Sequence, residues 1–134
     1  MKAVLITGAE GGIGSALVDA FARAGYFVVG TDSKRSLRDA ERFIEVDLAR
    51  LATEDAVLDE FRRNLHSILK GNELEVIVNN AAVQLLGPTE DISSSDWETT
   101  LRVNITAPFR LAQALVSQMK PTRGCILNIG SVHA

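Results

Sequence analysis

The chain has one cysteine, one tyrosine, one tryptophan and two histidines among its 134 residues. The lone Cys125 excludes an intrachain disulfide and cannot anchor a thiolate metal cluster. Within its apolar run it is expected in the core rather than as a nucleophile. No metal site is expected. No apolar run approaches the roughly 18 residues of a membrane span. Nor is there a basic block, and 14 Lys and Arg against 17 Asp and Glu leave a net charge of −3. Nucleic acid and membrane surfaces are therefore not the expected partners. The apolar pattern starts at about Lys2, which leaves no room for a secretion signal, so a cytoplasmic location is expected. Linkers, internal repeats and low-complexity segments are absent as well.

What is there is an ordinary soluble composition, 46% hydrophobic and 23% charged. The length suits one domain over residues 1–134 and not two. The hydrophobic pattern switches between two periods. Residues 3–6 form a continuous apolar run, the mark of a strand buried on both faces. Ile13, Leu17, Ala20, Phe21 and Ala24 follow at helical spacing, with Gly25 placed to end the helix. A second strand is expected over 26–31 with Asp32 next, then a polar loop or short helix over 33–42, and a third strand over 43–46. Leu58, Phe61, Leu65, Ile68 and Leu69 mark one face of a helix over about 54–69. Residues 76–78 form a fourth strand, 93–103 a helix capped by Ser93 or Ser94, and 125–129 a fifth strand. Between the last two, residues 105–119 read as a helix with Pro108 in its first turn. That helix has two apolar stripes: Ile105, Phe109, Ala112, Val116 and Met119 in one, Leu111 and Leu115 beside it. The sheet accounts for one stripe, and Leu111 and Leu115 are expected to lie open. Alternation of helices with continuously apolar strands predicts a doubly wound α/β fold whose parallel sheet has the first strand at its centre.

The chemistry gathers where strands end. Thr7-Gly8-Ala9-Glu10-Gly11-Gly12-Ile13-Gly14 follows the first strand and opens the first helix. Glycines let backbone approach phosphates, and a helix start aims free N–H groups at their charge. One or two glycines would suit a plain turn; three in this context point to a nucleotide diphosphate. Asp32, at the end of the second strand, can accept hydrogen bonds from adenosine ribose hydroxyls and would repel a 2′-phosphate, which favours NAD over NADP. Lys34 and Arg35 are nearby but read as solvated loop residues, and Gly11 puts no basic side chain in the loop. Asp47-Leu48 could hold adenine or be an ordinary helix cap. Asn79-Asn80-Ala81-Ala82 offers small residues beside a cofactor and amides that tie strands together, or simply a polar turn.

Together with Trp97, Val103-Asn104 and Leu127-Asn128-Ile129-Gly130-Ser131, these motifs resemble the N-terminal half of the short-chain dehydrogenase/reductase family over the whole chain. Ala82 departs from the glycine usual there. The resemblance implies a Rossmann-type sheet of about five strands, truncated relative to the family. It implies NAD as cofactor, NADP being second choice, bound by Gly8, Gly11, Gly12, Ile13, Gly14, Asp32, Asp47, Leu48, Asn80 and Ala81. It gives Asn104 a water of a proton relay and Ser131 the oxygen of a small-molecule alcohol or ketone substrate. The loop over 83–88, with Gln84, Leu85 and Leu86, suggests only a partly apolar pocket. A homo-oligomer is expected of the full-length parent.

The family's acid/base tyrosine and its helper lysine come as Tyr-x-x-x-Lys beyond that serine. Here only Val132, His133 and Ala134 follow Ser131, and the sole tyrosine is Tyr26 on the second strand. His133 is expected to be a loop residue rather than a substitute base. The chain is thus expected to be the cofactor-binding half of a longer NAD-dependent oxidoreductase, inactive in hydride transfer alone. A non-catalytic nucleotide-binding or interaction module is the alternative. Two chains pairing through the apolar edge of the fifth strand is a third expectation.

Overall fold

The computed structural model describes residues 1–34 and 40–132; Arg35 and His133 lie outside the described residues. Five parallel strands, β1 (Lys2–Thr7), β2 (Phe27–Asp32), β3 (Phe43–Glu45), β4 (Glu73–Asn79) and β5 (Cys125–Asn128), form one sheet in the order β3-β2-β1-β4-β5. Five described α-helices connect them: α1 (Gly12–Arg23), α2 (Leu48–Thr53), α3 (Asp55–Leu69), α4 (Ser94–Leu101) and α5 (Ala107–Met119). β1 is the central strand, and the direction of winding reverses between β1 and β4. This is the doubly wound Rossmann-type arrangement that the sequence predicts.

The alternation along the strands divides the core. Ala3, Leu5, Val29 and Ile77 face α2, α3 and α5, where they pack with Leu51, Phe61, Leu65, Leu111 and Leu115. Val4, Ile6, Val28, Val76 and Val78 face α1 and meet Leu17, Val18 and Phe21. Each large aliphatic side chain fully buried this way stabilises the fold by about 1.5–3 kcal/mol. Helix ends follow the glycines: Gly25 (φ +88°) closes α1, and Lys70 (φ +48°) with Gly71 (φ +87°) closes α3.

Several sequence expectations are corrected. The α1 residues turned to the sheet are Gly14, Leu17, Val18 and Phe21, whereas Ile13, Ala20 and Ala24 are exposed. On α5 the stripes are reversed except at Met119, which is buried. Leu111 and Leu115 are fully buried, while Ile105 and Phe109 are 63% and 62% exposed. Burial decides the rotation: Leu111, Leu115 and Ala114 pack into the core, and Arg110 beside them pairs with Asp55 at the start of α3. The flank with Phe109 and Val116 therefore turns away from α2 and α3. Cys125 is exposed rather than in the core, because β5 is paired only with β4. The six-residue α2 is an addition, too short to register as a period.

α4 runs into α5 through a wide turn. Residues Arg102–Thr106 are π-helical, and the Ala107 N–H donates to the Arg102 carbonyl five residues back. Pro108 has no N–H to return to the Asn104 carbonyl, so a normal turn could not be completed here. No described helix is long and apolar enough to cross a membrane.

Candidate functional site

Parallel strands put all their carboxyl ends on one side of the sheet, and the winding reversal between β1 and β4 leaves a crevice there. The glycine loop lies at that crevice. Gly8 has φ +66°, and a Cβ on it would stand 2.9 Å from the Ala81 Cα. A Cβ on Gly14 would stand 1.9 Å from the Gly8 carbonyl oxygen. These two glycines are demanded by the fold itself. Gly11 is different, since its Cβ would touch only the Gly8 oxygen at 3.4 Å, and a Cβ on Gly12 would meet nothing within 4 Å. Gly11 caps α1 without a side-chain hydrogen bond, and no acidic residue occupies the first helical turn. The positive end of the helix thus faces open space that glycine leaves clear. Ile13, 63% exposed, stands beside it.

A frame of hydrogen bonds holds the loop. The Ala9 N–H donates to the Thr31 carbonyl (3.1 Å), and the Glu10 N–H donates to Asp32 Oδ2 (3.1 Å). Asp32 Oδ1 accepts from the Ser33 N–H (2.7 Å). The Asp32 carboxylate is therefore fixed at the rim of the crevice. On the other side, Asn80 Nδ2 donates to the carbonyls of Thr7 (3.1 Å) and Gly8 (3.2 Å). The buried Thr7 hydroxyl oxygen accepts from the N–H groups of Asn80 (3.1 Å) and Ala81 (3.0 Å). Thr7 is a residue for which the sequence offered no role. Its only sequence mark is a polar side chain closing a wholly apolar run.

Asp47 caps α2, its Oδ1 accepting from the Ala49 N–H at 2.9 Å. Leu48 belongs to the core, at 8% exposure. Asn104 sits in the π-helical turn, where its Oδ1 accepts from the Val83 N–H and its Nδ2 donates to the Val83 carbonyl, both at 2.9 Å. This two-bond clamp fixes the strand that leaves β4 past the crevice. Val83 was marked in the sequence only as the start of the loop over 83–88, not as the partner of Asn104. Ser131 follows β5 on the same side of the sheet and is exposed. Across the carboxyl ends of β4 and β5, Asn79 Nδ2 donates to Asn128 Oδ1 (2.9 Å).

Tyr26 lies at the other end. It precedes β2, its ring meets Phe21 edge-on with centroids 5.2 Å apart, and its hydroxyl donates to Glu75 Oε2 at 2.7 Å. Lys2 pairs with the same carboxylate. Those two hydrogen bonds hold the Glu75 carboxyl below the usual carboxylate range, and in return raise Lys2 and Tyr26 above theirs. No group of three or more metal-ligating side chains gathers among the described residues.

Comparison with known proteins agrees with this architecture. The profile of the family described as short chain dehydrogenase matches residues 2–134. A D-threitol dehydrogenase of Mycolicibacterium smegmatis is 32% identical, over 99% of this chain and 54% of its own length. A short chain dehydrogenase/reductase structure from Brucella ovis superposes with a TM-score of 0.82 at 28% identity, covering 98% of this chain and 62% of that one. A Leptospira borgpetersenii short chain dehydrogenase with bound NAD+ gives a TM-score of 0.81 at 27% identity, covering 98% and 52%. The chain spans about half the length of the curated relatives it matches.

Proposed function

The chain belongs to the short chain dehydrogenase family, and on that premise we propose that it is the NAD-binding half of an oxidoreductase that interconverts an alcohol and a ketone. One observation carries the reading: the uncapped start of α1 opens onto space that Gly11 and Gly12 leave clear. A diphosphate fits that chemistry, because it needs donors, positive potential and close backbone approach. When bound, NAD supplies the acceptor and donor of hydride. The NAD+ held by the Leptospira relative and the name of a Listeria innocua NAD-dependent glycerol dehydrogenase fit this choice, and the fixed Asp32 carboxylate favours it over NADP.

The remaining roles belong to the chain's own residues. The N–H groups of Gly12, Ile13 and Gly14 hold the diphosphate, and Gly8 and Gly14 let the loop fold tightly enough to present them. Asp32 accepts hydrogen bonds from the adenosine ribose. Asp47 faces the adenine amino group, Leu48 borders its ring through its backbone while its side chain stays in the core, and Asn80 and Ala81 shape the wall at the end of β4. Ser131 hydrogen-bonds the substrate oxygen. Asn104, by fixing Val83, holds a water on the proton path. Tyr26 is no acid/base for that site, since it stands at the amino ends of the strands with its hydroxyl engaged by Glu75. The 134 residues alone are therefore expected to bind without turnover, the behaviour that a non-catalytic nucleotide-binding module would also show.

Titration calorimetry with NAD+ and NADP+, followed by a panel of alcohols, tests the proposal. One site preferring NAD+, without turnover, is expected. A folded chain that releases no heat with either dinucleotide overturns it.

A further inference from the structure

We propose that the groove between α3 and α5 is a binding site for a small carboxylate with a short apolar tail, independent of the nucleotide crevice. Asp59, Arg62, Arg63 and His66 recur three or four residues apart and so share one face of α3. With Gln118 of α5 they line a hollow of about 490 Å³. His66 and Gln118 also line a second hollow of about 300 Å³, which continues past Leu69, Pro121 and Thr122 to the start of β4. The two make one groove with two lobes, each in the volume range of small-ligand clefts. It reaches the amino end of β4, away from the glycine loop.

The lobes differ in the groups they leave open. In the first, the side chains of Arg63, His66 and Gln118 have no hydrogen bond or ion pair among the described residues. Arg62 reaches Asp59 at 3.8 Å, a long contact between two exposed side chains. Two guanidinium groups thus share one carboxylate, and the free fork of donors matches a second. In the second lobe the polar donors are already engaged. The Thr122 hydroxyl lies 3.1 Å from the Leu74 carbonyl and 2.8 Å from that of Met119. Asn72 Nδ2 donates to the Leu69 carbonyl at 2.7 Å. What remains for a ligand there is the apolar floor of Leu69 and Leu74 and the ring of Pro121. Glu73, which lines the same lobe, repels an anion. The charged head is therefore directed to Arg63 and His66, and an uncharged tail to the second lobe.

Amide NMR of the full chain, titrated at low salt with acetate, butyrate and hexanoate, tests the site. Shifts are expected at Arg63, His66, Gln118 and Thr122, with the amides of Gly12 and Gly14 unmoved. Affinity should rise roughly twofold per methylene, half the free-energy gain of a fully buried one. Arg63→Gln should weaken all three acids about five- to tenfold, the loss of a hydrogen bond between charged groups. Arg63→Lys keeps the charge and should stay within about threefold of the original. Arg63 is exposed, so neither substitution disturbs the core. Acetate binding as tightly as hexanoate, an Arg63→Gln variant of unchanged affinity, or shifts outside the groove each overturn the site. Carboxylate affinity is expected to be equal with and without saturating NAD+. Displacement of hexanoate by NAD+ overturns the independence of the two sites, and failure of hexanoate to bind leaves the nucleotide reading untouched.

Discussion

Gly12 and Gly14 stand two residues apart in one loop and answer to different demands. A methyl group at Gly14 runs into the Gly8 carbonyl at 1.9 Å, whereas one at Gly12 meets nothing. Gly14→Ala should therefore cost about 1–3 kcal/mol of stability or more, as overpacked sites do. Gly12→Ala should leave thermal unfolding unchanged or slightly later, yet weaken NAD+ binding roughly tenfold (about 1.4 kcal/mol) in calorimetry. The spacing of the motif could not separate the two glycines, because what Gly14 would strike, Gly8 across the loop and Asn80 just after β4, is brought near only by the fold. Glu75 carries the pH dependence. Its carboxyl is depressed by the Lys2 and Tyr26 hydrogen bonds, so its contribution to stability is present above the ordinary value of about 4.3 and lost as pH falls through the folded one. Tyr26 and Lys2 are raised, and their contribution is present below about pH 10 and lost as pH rises through their folded values. Glu75→Gln should bring the phenol of Tyr26, the only tyrosine, back down toward its ordinary value in an ultraviolet absorbance titration.

Among the elements, α5 and β5 separate what a sequence pattern can decide from what it cannot. Apolar spacing identifies α5 as a helix with more than one greasy flank, but its rotation is set by the core contacts of Leu111 and Leu115 with α2 and α3. A local period contains no such contact. Leu111→Ala should accordingly cost about 2–5 kcal/mol, while Phe109→Ser should change stability by less than about 1 kcal/mol. Chemical denaturation of the two variants checks both, and the reverse order would restore the orientation expected from spacing. β5 was legible as a strand from its apolar run, and its pairing with β4 alone is seen only in the folded sheet. Ile126, Leu127 and Ile129, at 39%, 43% and 38% exposure, leave that edge sticky. The wide turn at Asn104 was half legible: Pro108 marks a broken ladder, but the clamp on Val83 needs the loop after β4 brought alongside.

At the scale of the molecule, parallel winding was readable because continuously apolar strands alternate with helices, and that alone fixes which end of the sheet can hold a ligand. Everything the sequence singled out for chemistry, from Gly8 to Ser131, follows or closes a strand at the carboxyl side, except Asn104, which reaches that side from the turn between α4 and α5. The Lys2–Glu75–Tyr26 cluster closes the opposite end. A polar groove between α3 and α5, lined by Asp59, Arg62, Arg63, His66 and Gln118, is the rival surface for an anionic ligand. The backbone amide NMR spectrum of the full chain, followed while NAD+ is added, distinguishes them most directly. Shifts are expected to concentrate at Gly11, Gly12, Ile13 and Gly14 and around Asp32, with the amides of Tyr26 and Glu75 unmoved. Shifts confined to Arg62, His66 and Gln118, or a spectrum unchanged at saturating NAD+, would contradict it.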